Sequence, residues 1–453
     1  SGADHGGRIE VDCDDHENSG KKRESEDQGL FQRRDLMGIT VASVSVGRGL
    51  CYTLAGQFLR LSVNKMEPAV YLLMRLPGIC RTSSGGQKTW GILGAWNGYT
   101  GRISMAGTIG PLLPSDEQFN HQVVETFASV GQSDPAWTEK VCGMAAAKDG
   151  SLQIGFGFGK YTNRNVVDAY AGISRGSEQW VVRASRALNS EPDTVNAGPI
   201  RYEVLEPLQQ VKVSLEANEH QPIAFELVFS SVAACVVEDR EDRRDMHGFR
   251  KATDQIRYHQ TGVASGWLEI EGHRHTISED SWVSTRDKSW GIRPMVGLPA
   301  EDMEPDYHRH IPQALAIWNP ILFQREDGSR YAFHHYYLQF SGPGFSHQRV
   351  QGGFEDGSGQ TAKLVGLVPT LRFESPTKRL QGGEFLLQMD DGGERPLRFE
   401  KISETGFYLG AGHYHGGDGH YHGSWRGQLH VDGDHVVNAA DMGVIERYNQ
   451  FRD

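Results

Sequence analysis

The sequence predicts an all-β protein. Three observations carry that expectation: short runs in which apolar and polar residues alternate, turn residues that cut these runs at close intervals, and a scarcity of helical patterns. There are 55 glycines in 453 residues, with no Gly-X-Y period, so the chain is suited to many tight turns. Hydrophobic residues make up 38% and aromatics 9%, enough for a buried core, which excludes wholesale disorder. No apolar run approaches the roughly 20 residues of a bilayer-spanning helix, so an integral helical membrane protein is not expected. A net charge of −12 argues against a nucleic-acid partner, because neutralising phosphates needs a basic face.

Residues 1–104 differ from the remainder. They hold 13 Lys/Arg and 11 Asp/Glu, leaving 33 basic and 47 acidic residues for 105–453. Residues 1–36 are a dense charge mixture with little apolar surface to bury, and 37–101 sustain neither a period of 2 nor one of 3.6. The stretch from Met37 lacks a basic leading region and is interrupted by Arg48, so it does not read as a signal peptide. The expectation is a poorly ordered or non-native extension over 1–104 and a folded protein beginning near Met105. Beyond the extension only Cys142 and Cys235 remain, which implies no disulfide framework and fits a reducing, cytoplasmic setting.

Along 105–453 each element has a local reason. Ser115-Asp116-Glu117-Gln118 is an acidic opening able to cap one short helical turn. Gly155–Tyr161 (GFGFGKY) has the wrong spacing for a phosphate loop and no following helix, so its alternating glycines mark close backbone approach within a strand. Val211, Val213 and Leu215 alternate with Lys212, Ser214 and Glu216. Leu397 and Phe399 repeat the pattern, as do Leu429 and Val431. Hairpin turns are expected at Asp149-Gly150, Glu271-Gly272, Asp327-Gly328, Asp391-Gly392 and Asp432-Gly433, where glycine supplies a positive φ. Glu238–Arg244 (EDREDRR) reads as a solvated loop, and Asp441–Phe451 as a terminal helix. A Pro- and acid-rich stretch near 290–310 separates two strand-rich halves, 105–292 and 293–453, each the size of a barrel with a ligand cavity.

The chemistry concentrates in few places. Arg183, in the strand pattern of 180–186, would line a barrel and hold an anionic or carbonyl group, or else pair with one of the many acids. The segment 280–294 packs Trp282, Arg286, Asp287, Trp290 and Arg293 into a short run. In an unbroken strand Asp287 and Arg293 share one face and Arg286 takes the other. An acid among indoles has a raised pKa suited to general-acid work, whereas a nearby guanidinium makes it a structural counter-ion, and both readings stay open. In Gly410–Gly427 the pairs His413/His415 and His420/His422 flank a Gly-Gly-Asp-Gly turn. They are either four imidazoles converging on a metal or a Gly/His/Tyr-rich loop at a barrel mouth. His308/His310 and His334/His335 read as rim or lining positions.

The order strand, Gly turn, strand and then Trp282, Arg286-Asp287, Trp290-Gly291 resembles the hydroxyneurosporene synthase (carotenoid 1,2-hydratase) and AttH-like superfamily, which carries a W-x-D-[RH]-x-W-G motif at the junction of two lipocalin-like barrels. Trp282 stands for the leading aromatic, five residues before Asp287. From Pro114 to Gly427 the chain also resembles bacterial proteins of unassigned function built from tandem lipocalin-type domains. The resemblance implies that Asp287 protonates an alkene or polarises a substrate. Trp282, Trp290 and Trp318 would face the resulting cation, with Tyr258 or His259 activating water. Arg183, Arg286 and Arg293 join the aromatics as candidate substrate-binding residues.

The sequence thus points to two tandem lipocalin-like antiparallel β-barrel or sandwich domains. The expected function is a cofactor-independent hydratase, lyase or isomerase acting on a hydrophobic terpenoid, steroid-like or polyketide molecule. A non-catalytic carrier of such a ligand and a His-rich metalloenzyme are the alternatives.

Overall fold

A computed structural model describes residues 112–121, 131–189, 195–244, 250–293, 296–297, 313–342, 345–374, 380–402 and 420–437, together with two earlier strands. Those two are β1 (Leu36–Val46) and β2 (Leu54–Ser62). The chain continues through β3 (Trp137–Ala147), β4 (Leu152–Tyr161), β5 (Val166–Arg175), β6 (Glu178–Ala187), β7 (Asn196–Ala197), β8 (Ile200–Glu206), β9 (Gln210–Leu215) and β10 (Ile223–Ser231). Next come β11 (Val236–Val237), β12 (Glu241–Arg244), the long β13 (Lys251–Ile270), β14 (His273–Ile277) and β15 (Trp282–Ile292). The last group is β16 (Gln313–Gln324), β17 (Arg330–Gly342), β18 (Phe345–Asp356), β19 (Gly359–Phe373), β20 (Leu380–Met389), β21 (Glu394–Lys401) and β22 (Leu429–Val436). Among the described residues the only helical pieces are two 3-10 turns, Pro114–Glu117 and Thr162–Arg164. The all-β expectation holds.

The strands form two antiparallel systems. One is a 14-stranded sheet in the order β22-β6-β5-β4-β3-β15-β13-β10-β9-β8-β7, with β11, β12 and β14 also paired to β13. It curls so that β7 comes to lie beside β5 and β6. Its inner face encloses a core that includes Phe156, Phe158, Trp180, Phe225 and Phe229, all at most 1% exposed. Each such side chain contributes about 1.5–3 kcal/mol through removal from water. The other system is a closed barrel, β1-β16-β17-β18-β19-β20-β21-β2, filled by residues such as Ile321, Phe333, Phe385 and Phe399. The outer face of the first sheet meets β16 of the barrel through Met144, Val263 and Val283 against Trp318 and Leu322.

Local reasoning located most elements. The turn glycines Gly150, Gly272, Gly328 and Gly392 all have φ near +80°, and β9, β21 and β22 fall on the alternating runs. Gly157 does provide close approach: a Cβ there would lie 2.4 Å from Cε1 of Tyr170, whose ring rests on the strand. Two expectations need correction. Asp432-Gly433 does not turn. β22 runs straight through it because Asp432 is held by Arg183 and the strand is paired along its length with β6. That pairing carries the last described strand back from the 293–453 half into the first sheet. Glu238–Arg244 is not simply a solvated loop, since β12 pairs with β13 and Glu238 is buried. Within the segment 1–104, β1 pairs with β16 and β2 with β21 of the barrel. The terminal helix expected at Asp441–Phe451 and the histidines His308 and His310 lie outside the described residues.

Candidate functional site

Strand β15 sends its side chains alternately inward and outward, which divides the Trp/Arg/Asp motif between two environments. Arg286 points inward. Its Nη1 and Nη2 donate to Oε1 and Oε2 of Glu117 at 2.6 and 2.9 Å, and Nε and Nη2 donate to Oε1 of Gln260. The hydroxyls of Tyr202 and Tyr258 and the backbone N–H of Leu208 also donate to Glu117. Burial raises the Glu117 carboxyl, but the Arg286 guanidinium outweighs it and holds the group below its ordinary range. Lys288, also inward, donates to the carbonyls of Asp116 and Gln118, and burial lowers it to about 8. The segment 114–119 is thereby drawn into the first half as a plug. Tyr258, Trp282, Arg286 and Trp290 therefore lie on the side of the sheet away from Asp287. Trp282 belongs to the apolar core, and Trp290 stacks on His121 at 3.8 Å.

Asp287 points outward, toward the junction with the barrel. It is half-buried and has no direct hydrogen-bond or ion-pair partner among the described residues. Burial pushes its carboxyl up, against the opposing pull of Arg257 and Arg293. Arg286, on the opposite face as the strand alternation requires, pairs with Glu117 instead, and the guanidiniums acting on Asp287 are those of Arg257 and Arg293. Register places His259 on one side of Asp287 and Cys142 on the other. Cys142 Sγ lies 3.0 Å from the Tyr170 hydroxyl, and burial pushes the thiol up to about 11. Farther along the same face Arg183 donates to Asp432 at 2.8 Å, so it is an ion-paired outer residue rather than a barrel-lining one. On the neighbouring strand β3, two residues from Cys142, Lys140 is 3% exposed, and burial together with Arg293 lowers it to about 7. Lys140 forms one wall of a recess of roughly 370 Å³, counting the part open to solvent, whose other walls include Asp168, Tyr170, Ser185, Ser424 and Arg426.

On the other side of Asp287 a buried network joins the two halves. His259 Nε2 lies 2.8 Å from Oε1 of Glu355 on β18, and its ring stacks on that of His334 on β17 at 3.5 Å. Glu238 accepts from Trp318 Nε1 at 2.7 Å and from Nε and Nη2 of Arg257 at 2.8 and 2.6 Å. Burial disfavours charge on His259, but Glu355 and Glu238 outweigh it and raise the group to about 9. Burial, reinforced by His259, keeps His334 neutral.

The structure thus places Asp287, His259 and Trp318 toward the junction, with Arg293 acting on Asp287, and leaves Tyr258, Trp282, Arg286 and Trp290 inside the first half. His413 and His415 lie outside the described residues. His422 is buried with Nδ1 3.0 Å from the Tyr161 hydroxyl. Sequence reasoning missed Glu117, Glu238, Lys140 and Glu355. Glu238 was hidden in a charge run, and a lone Glu or Lys in a strand gives no local sign of a distant partner.

The model of a family of unknown function, DUF8625, matches residues 112–449. No curated protein matches the chain. Among solved structures, kievitone hydratase from Nectria haematococca is similar at 11% identity over 63% of this chain and 94% of that one, with a TM-score of 0.23. An overlap that low bears on neither activity nor substrate.

Proposed function

The chain belongs to a family of unknown function, DUF8625, and we propose that it catalyses proton-transfer chemistry on a hydrophobic small molecule, as a hydratase, lyase or isomerase with Asp287 as the acid. The observation that carries this reading is the state of the Asp287 carboxyl. The other ionisable side chains of its strand are engaged, Arg286 by Glu117 and Lys288 by two carbonyls, while Asp287 is half-buried and has no direct hydrogen-bond or ion-pair partner among the described residues. A carboxyl in that condition is available to give up a proton and take one back. In a hydration, the acid proton goes to an alkene carbon, water adds to the adjacent cationic carbon, and the proton shed by that water restores the acid. Trp318 at the junction and Tyr170 beside the recess offer aromatic faces to the developing positive charge. The resemblance of the Trp282 to Gly291 stretch to hydratases points the same way.

The test is incubation of the full chain with terpenoid, steroid-like and polyketide alkenes in ¹⁸O-water, read by mass spectrometry. Label incorporated by the native chain and not by Asp287→Asn is expected. Equal incorporation by both rejects the assignment. A carrier function is the second reading, favoured by the charge-compensated His259–Glu355–Glu238–Arg257 network, which joins the halves without needing to react. It requires that the native chain retain a hydrophobic ligand unchanged.

A further inference from the structure

We propose that Glu238, His259 and His334 form a binding site for a divalent transition metal, zinc by preference, that ties the first sheet to the barrel. The inference does not depend on the role of Asp287. The three side chains bring one carboxylate oxygen and two imidazole nitrogens within 4.8 Å of one another, all buried. Glu238 Oε1 lies 3.3 Å from His259 Nδ1 and 3.6 Å from His334 Nε2. Metal–nitrogen and metal–oxygen bonds of about 2.0–2.1 Å in a tetrahedron set its edges at about 3.4 Å, so both separations suit ligands sharing one ion. A set of two imidazoles and a carboxylate is one that zinc accepts.

Unsatisfied atoms gather at the same point. Both ring nitrogens of His334 are buried without a hydrogen bond, and His259 Nδ1 has only its 3.3 Å contact with Glu238 Oε1. An orphaned buried polar atom costs about 1–3 kcal/mol, and folded proteins rarely concentrate several in one place. One ion would give one His334 nitrogen a partner and would bridge His259 Nδ1 to Glu238 Oε1 in place of a proton.

The surroundings are those of metal ligands. Ligating histidines usually donate their second N–H to a carboxylate, which fixes the tautomer and aims the other lone pair at the ion. The contact of His259 Nε2 with Glu355 does this and leaves Nδ1 facing Glu238. Glu238 is itself held by Trp318 and Arg257. The rings of His259 and His334 are stacked with a 25° interplanar angle, and stacked rings do not both aim in-plane lone pairs at one ion. Loading therefore requires His334 to turn, and it breaks no hydrogen bond in doing so. Because Glu238 and His259 come from the first half and His334 from the barrel, the bound ion is a cross-link.

The experiment uses the full chain, stripped with a chelator and titrated with zinc by calorimetry and with cobalt(II) by visible absorption. Stoichiometric binding, a tetrahedral cobalt spectrum and a raised melting temperature are expected, with His334→Ala losing all three. Should that variant fail to fold, Glu355→Gln keeps every ligand and is expected to weaken zinc by about 10–100-fold. A folded native chain that binds neither ion overturns the proposal. So does a His334→Ala or Glu355→Gln variant with unchanged zinc affinity, which would place the ion elsewhere, for example at His413–His422. Asp287→Asn is expected to bind zinc like the native chain.

Discussion

Arg286 grips both oxygens of Glu117 across 169 positions of sequence, with both side chains fully buried. The pair anchors the 114–119 plug inside the first half, and neither charge has water to fall back on. Arg286→Met is therefore expected to cost about 3–5 kcal/mol, the usual penalty for stranding one member of a buried pair, measured as a lower denaturant midpoint. The pH dependence has a definite sign. Glu117 is held below its ordinary 4.5 in the fold, so its stabilisation is complete above that value and is lost as pH falls toward the lowered native pKa. Glu117→Gln should flatten that acid limb of the stability curve.

Asp287 is the opposite case. A half-buried carboxylate without a direct partner adds little to stability and carries a desolvation cost. Asp287→Asn should leave the melting temperature unchanged or slightly raised while abolishing turnover. A marked loss of stability would show that the residue is structural.

Lys140 offers a separate pH signature. Burial and Arg293 lower it to about 7 against an ordinary 10.5. Below about pH 7 it is charged in both folded and unfolded chains, and the fold bears the full burial penalty. Between there and 10.5 the unfolded chain holds the extra proton, so stability should rise with pH. Lys140→Met should remove that rise, as read from unfolding free energies across the alkaline range.

Gly157 tests the packing beneath the recess. A Cβ at this position would meet the Tyr170 ring at 2.4 Å. Gly157→Val must push that ring off the strand and break its contact with Cys142, at an expected cost of about 1–3 kcal/mol for overpacking. Thiol-reactive probes should then label Cys142 faster than in the native chain.

Much of the fold was legible locally. Val211 to Glu216 announced a strand because a pleat exposes alternate side chains to core and water, and Gly150, Gly272, Gly328 and Gly392 marked turns that need positive φ. The same rule separated Asp287 from Arg286 before any partner was known. Asp432-Gly433 misled because the dipeptide suits a turn, yet pairing with β6 and the Arg183 contact hold it extended. Of the candidate residues, Asp287 and Arg293 were legible as sharing one face, and His259 pairs in register with Asp287 and packs edge-on against Trp318. Glu238, Glu355 and Lys140 were not legible.

The sequence alone determined the β character, the turns at Gly150, Gly272, Gly328 and Gly392 and the face on which each residue of β15 lies, because these follow from steric rules acting over a few residues. Only the tertiary structure decided that Glu117 meets Arg286, that Glu355 meets His259 and that the last described strand returns to the first sheet. Those outcomes depend on strand register and on which sheet faces pack together, and charged groups far apart in the chain find one another only after the apolar faces have set that arrangement.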